Sequence, residues 1–176
     1  MVIAASKPGP GIITKEDVQG MASNGIIFAC ANPIPEIWPW EAKEGGAKVV
    51  ATGRSDFPNQ VNNSLVFPAI FRGALDVRAK TITDEMCIAS AKALAKYVED
   101  KGLNENYILP GMDEWEIYPM QATEVAMKCI EQGLARKKAS RVEIHDGAAA
   151  IIERTQKIVK LLMAQGFIPQ PPPEPK

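Results

Sequence analysis

Ile26-Ile27-Phe28-Ala29-Cys30-Ala31-Asn32-Pro33 runs from an unbroken apolar segment straight into a polar corner. Apolar residues without alternation, bounded by turn formers, predict a short strand buried on both faces. The same unit recurs on either side. Val2-Ile3-Ala4-Ala5 reads as a short buried strand that leads into the turn-rich Ser6-Lys7-Pro8-Gly9-Pro10-Gly11. Lys48-Val49-Val50-Ala51 reads as a third strand, followed by Thr52-Gly53-Arg54-Ser55-Asp56-Phe57-Pro58-Asn59-Gln60-Val61-Asn62-Asn63. Between the strands, Thr14 and Asp17 have the spacing of a capping box for a helix through Met21 and Ala22, ended by Asn24-Gly25. Pro39 opens a second helix over Trp40 to Glu44, closed by Gly45-Gly46. Strand, helix, strand, helix, strand with short connections is a parallel βαβαβ unit. The fold class is α/β, a partial Rossmann-like parallel sheet, with helices expected on both of its faces.

Ligands of open parallel sheets bind beyond the carboxyl ends of the strands. Here those ends lead into Ser6–Gly11, Asn32-Pro33 and Thr52–Asn63, so three polar loops are expected on one edge. After Asn63 the pattern turns helical. Ser64 to Val77 reads as a helix with Pro68 in its first turn and an Arg72–Asp76 pair. Thr83 caps the next, with Cys87, Ala91, Leu94, Ala95 and Val98 on its inner face. Pro119 suits the start of a third, with Ala122, Val125, Ala126, Cys129 and Ile130 inward and Gly133 as the stop. Asp146 reads as the cap of a last helix from Ala148 to Gln165, after the basic run Arg136–Lys138 and before the proline-rich Pro169–Pro173.

Composition narrows the function classes. The chain has 176 residues, a net charge of −1 and scattered Lys and Arg, which gives no basic patch for nucleic acid. Its apolar runs are too short to span a membrane, and the start lacks the pattern of a signal peptide. Cys30, Cys87 and Cys129 are far apart and sit among apolar neighbours, which reads as reduced, buried thiols in a cytoplasmic protein.

The polar loops hold the candidate groups. Asn32 ends a strand before a proline, and its amide both donates and accepts, which suits a ribose hydroxyl, a carboxamide or a carboxylate; it also reads as a turn cap. Asn59, Asn62 and Asn63 place three amides within five residues, more than one turn needs. Asn63 can also cap the following helix. Arg54 suits a carboxylate, and equally an ion pair with Asp56. His145, the sole histidine, reads as exposed. Asp113, Glu114 and Glu116 lack the organisation of a calcium loop and read as a solvated acidic segment. No Ser-His-Asp pattern and no Gly-Lys-Ser/Thr phosphate loop occurs, and the prolines of Pro8-Gly9-Pro10-Gly11 remove donors a phosphate cradle would use.

Three stretches together resemble the C-terminal part of bacterial and archaeal malic enzymes, the NAD(P)-dependent decarboxylating malate dehydrogenases. They are Ile27-Phe28-Ala29-Cys30-Ala31-Asn32-Pro33-Ile34-Pro35-Glu36, Val50 to Asn63, and Phe67-Pro68-Ala69-Ile70-Phe71-Arg72-Gly73-Ala74-Leu75-Asp76-Val77. The resemblance runs to about Gly133. It implies substrate contacts at Asn32, Asn63 and, less directly, Asn62, and cofactor contacts at Asn32, Ser6 and Gly9. It implies NAD or NADP as cofactor, Mg2+ or Mn2+ in the complete enzyme, malate and pyruvate as ligands, and a homo-oligomer. It also divides the chain into 1–61, the C-terminal half of an NAD(P)-binding domain; 62–135, a helical segment returning to the catalytic domain; and 136–176, a terminal helix and proline-rich tail. The family's tyrosine acid, lysine base, metal-binding carboxylates and Gly-x-Gly-x-x-Gly loop lie upstream of the matching region and have no counterpart here. The expectation is therefore part of a malic enzyme, inactive alone and complemented by a separate N-terminal half. The alternative is a non-enzymatic assembly module derived from that fold. A stand-alone nucleotide-binding regulator fits less well, for want of a phosphate loop.

Overall fold

In the computed structural model, which describes residues 1–172, the three strands form one parallel sheet in the order β1-β2-β3. They are β1 (Val2–Ala4), β2 (Gly25–Ala29) and β3 (Ala47–Thr52). Ile3 lies beside Phe28 and Phe28 beside Ala51, so side chains of like parity share a face. The connections are α1 (Lys15–Gln19), with the capping box of Thr14 and Asp17, and α2 (Pro39–Glu44), with proline in its first turn.

Both connecting helices lie on the same face, contrary to the sequence expectation. Val18 of α1 and Ala42 of α2 join Ile27, Ala29, Ala47 and Val50 in one buried cluster. The reason is topological. Right-handed crossovers between strands laid down in consecutive order all pass over one face of the sheet. The opposite row, with Ile26, Phe28 and Val49 half-buried, leaves Ile3 64% exposed. β1 is thus not the buried strand its composition suggests. It sits at the sheet margin, with β2 as its one recorded strand neighbour.

Beyond β3 the chain is helical, with a 3-10 turn at Asn63–Leu65, then α3 (Phe67–Asp76), α4 (Asp84–Lys101), α5 (Ile117–Glu131) and α6 (Arg141–Ala164). α5 is the central helix and packs against α3, α4 and α6. Its Val125, Ala126 and Cys129 meet Ala74, Val77, Met86 and Ile144 in a second core. Gly73 of α3 is required at the closest approach, because a Cβ there would lie 2.3 Å from the Ala122 carbonyl oxygen. The Arg72–Asp76 pair forms as expected.

Several helix details differ from the sequence reading. α1 stops at Gln19, and Asn24, with φ of 61°, turns the chain into β2 instead. α4 buries Val98 as expected, but its other buried residues are Met86, Ser90, Ala93 and Tyr97 in place of Cys87, Ala91, Leu94 and Ala95, so Cys87 is exposed and only Cys129 is a fully buried thiol. Pro119 sits two residues inside α5. Ser140, in a capping box with Glu143, caps α6, which starts at Arg141, seven residues before Ala148, and Asp146 is interior to the helix. No helix among the described residues is long and apolar enough to cross a membrane. The proline-rich run reaches Pro173, which lies outside the described residues.

Candidate functional site

The carboxyl ends of the strands open into loops that are fastened to one another, and the fastener is Glu36. Its side chain is fully buried, although it follows two prolines in a loop. One carboxylate oxygen accepts from the Ser6 amide at 2.8 Å and the Ser6 hydroxyl at 3.1 Å. The other accepts from the Ala31 amide at 3.1 Å. Burial alone pushes this carboxyl up, but the bonds donated by Ser6 and Ala31 outweigh it and hold the group below the usual carboxylate range. The backbone of the same segment ties down the rest of the first loop. Ile34 O accepts from Gly9 N at 3.2 Å, and Glu36 O accepts from Gly11 N at 3.1 Å.

Asn32 stands exposed at the corner after β2. A Cβ on Gly53 would lie 2.8 Å from both Nδ2 and Oδ1 of Asn32, so the Asn32 amide occupies the space a side chain at Gly53 would take. The glycine leaves room for the Asn32 amide in this position and is not called for by a left-handed φ. Arg54 fastens the third loop to this corner. Its Nη1 donates to Pro33 O at 3.1 Å, while Nε and Nη2 hold Asp56 at 2.8 and 2.6 Å. The guanidinium lies 5.8 Å from the ring centroids of Trp38 and Phe57. Of the two readings of Arg54, the internal ion pair is the one formed.

The asparagine cluster divides by role. Asn59 is 5% exposed with φ of 58°. Its Nδ2 donates to Val50 O at 3.1 Å and Glu105 O at 2.9 Å, and its Oδ1 accepts from Ile108 N at 2.9 Å. It joins β3 to the loop after α4 and has no amide group left for a ligand. Asn62, not Asn63, is the cap: its Oδ1 accepts from Ser64 N at 3.0 Å. Asn63 is exposed. No hydrogen bond among the described residues joins Asn62 or Asn63 to Asn32 or Ser6, whereas Ser6, Gly9, Asn32, Gly53 and Arg54 are linked through residues 31–36.

The acidic segment is not simply solvated. Glu114 accepts from Lys101 Nζ at 2.8 Å, Tyr107 Oη at 2.9 Å, Tyr97 Oη at 3.2 Å and Gly111 N at 2.8 Å. Burial and this carboxylate push the Tyr107 phenol up to about 12. Charge pairing across the chain recruited Glu114 into a lock between α4 and the loop before α5. Sequence reasoning missed Glu36 and Glu114 alike. The available signal for Glu36 was a single acid within Ile34-Pro35-Glu36-Ile37-Trp38.

These groups fit one end of a dinucleotide better than its middle. The exposed Asn32 amide at the sheet edge suits the hydroxyls and carboxamide of a nicotinamide riboside. A pyrophosphate needs free backbone donors. In the first loop the amides of Ser6, Gly9 and Gly11 are already given to Glu36 and Ile34. For a divalent cation the fit fails, because no three His, Cys, Asp or Glu side chains among the described residues come together in ligating geometry.

Residues 2–134 match the family described as malic enzyme, NAD binding domain. The bifunctional malic/malolactic enzyme of Bacillus subtilis is 49% identical over 148 residues, covering 84% of this chain and 34% of that one. The NAD-dependent malic enzyme of Geobacillus stearothermophilus is 51% identical over 128 residues, covering 73% of this chain and 27% of its own. Among solved structures, the Entamoeba histolytica malic enzyme superposes with a TM-score of 0.91 at 47% identity, over 94% of this chain and 34% of that one. The Pyrococcus horikoshii malic enzyme gives 0.85 at 44% identity, over 93% and 37%. The chain thus spans about a third of the length of these relatives.

Proposed function

Because this chain belongs to the malic enzyme family through its NAD-binding domain, we propose that it forms the nicotinamide-side wall of a malic enzyme site. The reaction it serves is oxidation of malate by NAD or NADP with loss of CO2 to give pyruvate. Asn32 and Asn63 contact substrate, with Asn62 beside them. Asn32, Ser6 and Gly9 border the cofactor, with Ser6 offering only its hydroxyl lone pairs, since both its donors are engaged. Residues 1–61 act as half of the cofactor domain, 62–135 as the segment that returns toward the catalytic groups, and 136–176 as a terminal helix and tail. The observation that carries this reading is the Asn32 amide seated on Gly53 at the carboxyl edge of a parallel sheet.

The metal, the proton-transfer groups and the pyrophosphate loop come from elsewhere, which makes the first two-thirds of a malic enzyme the natural partner. Three exposed residues on α3 support such a partner. Phe67, Phe71 and Leu75, at i, i+4 and i+8, are 57%, 44% and 66% exposed and form one apolar stripe. Ile3 at the sheet margin is a separate exposed apolar residue. The stripe also favours the second reading, a homo-oligomeric assembly module without activity. The protein works in the cytoplasm in either case.

The test mixes this chain with the first two-thirds of the Bacillus subtilis relative and follows NAD(P)H absorbance with malate and Mn2+. Turnover by the mixture and none by either part is the expected result. Turnover by this chain alone refutes the division of labour. A homodimer that neither binds the partner nor turns over malate selects the assembly module.

A further inference from the structure

The mid-sheet edge depends on a charged group that none of the expected contacts uses. Glu36 lies 30 residues from Ser6 and receives three donors from two different strand ends. A carboxylate is an acceptor on every lone pair, so it can satisfy all three N–H and O–H groups at once. A glutamine cannot, because its NH2 would confront one of them donor to donor. The same segment holds Gly9 and Gly11 through its carbonyls, and the adjoining corner carries Asn32 and, through Pro33 O, Arg54. Among the described residues, the hydrogen bonds between the first and second loops pass through residues 31–36.

The geometry points to Glu36 as a positioning residue: its carboxylate locks the Ser6 loop to the Asn32 corner so that the two are presented to a dinucleotide as one unit. It touches neither cofactor nor substrate. Charge-assisted bonds to a buried carboxylate are the strong class of hydrogen bond, which suits them to fixing loops that would otherwise move independently. The inference that a dinucleotide is what they are presented to rests on the functional reading above, while the lock itself does not.

A pH dependence follows from the chemistry. Above the folded-state pKa the carboxylate accepts all three bonds. As pH falls through that value, which lies below the ordinary carboxylate range, protonation adds a donor where an acceptor is needed and the lock opens. The titratable group recorded as facing Glu36 is the Cys30 thiol. Burial, and then the Glu36 charge, push that thiol up, so it stays protonated throughout the acid range and contributes no step there.

Amide hydrogen exchange on the full chain decides the matter without any activity. In the wild type, protection at Ser6 and Ala31, corrected for intrinsic rates, falls in one shared acid step. Glu36→Gln abolishes that step and lowers protection at both amides by about 10-fold or more, with α5 amides unchanged. Ser6→Ala, which removes only the hydroxyl donor, retains the shared step. Separate transitions at Ser6 and Ala31 overturn the lock, and so does a Glu36→Gln loss spread evenly over the chain. In a mixture that turns over malate, Glu36→Gln raises KM for the nucleotide about 10-fold with kcat within about 3-fold. A fall in kcat at unchanged KM overturns the positioning role. Failure of the mixture to turn over counts against the functional reading and leaves the exchange result standing on its own.

Discussion

Replacing Asn59 separates architecture from binding within the asparagine-rich loop. Its side chain makes three hydrogen bonds inside the protein, to Val50 O, Glu105 O and from Ile108 N, and its backbone holds a left-handed φ of 58°. Asn59→Ala removes all three bonds at a site 5% exposed, where water cannot easily replace them. At about 1 kcal/mol net each, with about 1 kcal/mol more for an alanine in the left-handed region, the loss is about 4 kcal/mol. That is a large share of the 5–15 kcal/mol, roughly, that holds a domain together. Asn59→Gly relieves the backbone cost and keeps the bond deficit, so it loses about 3 kcal/mol. Asn59→Asp keeps an acceptor for Ile108 N but turns an oxygen toward two carbonyls, and is at least as damaging as alanine. The assay is urea unfolding followed by tryptophan fluorescence and circular dichroism, with m-values checked for constancy. An alanine variant within about 1 kcal/mol of wild type, or an aspartate variant that matches wild type, refutes the reasoning.

Other substitutions test other levels of the structure. Gly73→Ala on α3 gains about 1 kcal/mol of helix propensity but forces a Cβ to 2.3 Å from Ala122 O, so the net result is a loss of about 1–3 kcal/mol in the same unfolding assay. Asn32→Ala and Asn63→Ala, both at exposed positions, leave the midpoint of unfolding within about 0.5 kcal/mol yet lower kcat/KM of the reconstituted mixture by about 100-fold or more; stability loss without an activity effect contradicts their assignment. Phe67→Ser with Phe71→Ser leaves the isolated chain folded and weakens its association with the partner by about 10-fold or more in sedimentation or calorimetry, and unchanged association rules the stripe out as the contact.

The parallel unit was legible because its evidence is local. Ile26–Cys30 and Val49–Ala51 are uninterrupted apolar runs, and Thr14 with Asp17 and Thr83 with Met86 form caps across a single turn. Choosing between alternatives of similar local energy was harder. The inner face of α4 shares only Val98 with the expected one, because Met86 and Tyr97 reach cores contributed by α5, and sequence periodicity alone does not weigh those contacts. α6 is capped by Ser140 and not Asp146, with Ile144 in its first turns meeting the core.

Within the site, the order of the strands' polar exits, the presence of Asn32 and the family-specific run to Asn63 are readable along the chain, since each is a property of consecutive residues. What those groups are free to do is set by the packing around them. It used Asn59 up in bonds to segments 9, 46 and 49 residues away, made Asn62 the cap and left Asn63 exposed. It buried Glu36, an acid whose chain neighbours give no hint that its partners are Ser6 and Ala31. The physical reason is that a hydrogen bond inside a protein depends on where donor and acceptor meet and on whether water is excluded there. Both are set by how the sheet edge folds back on itself, which no stretch of consecutive residues records.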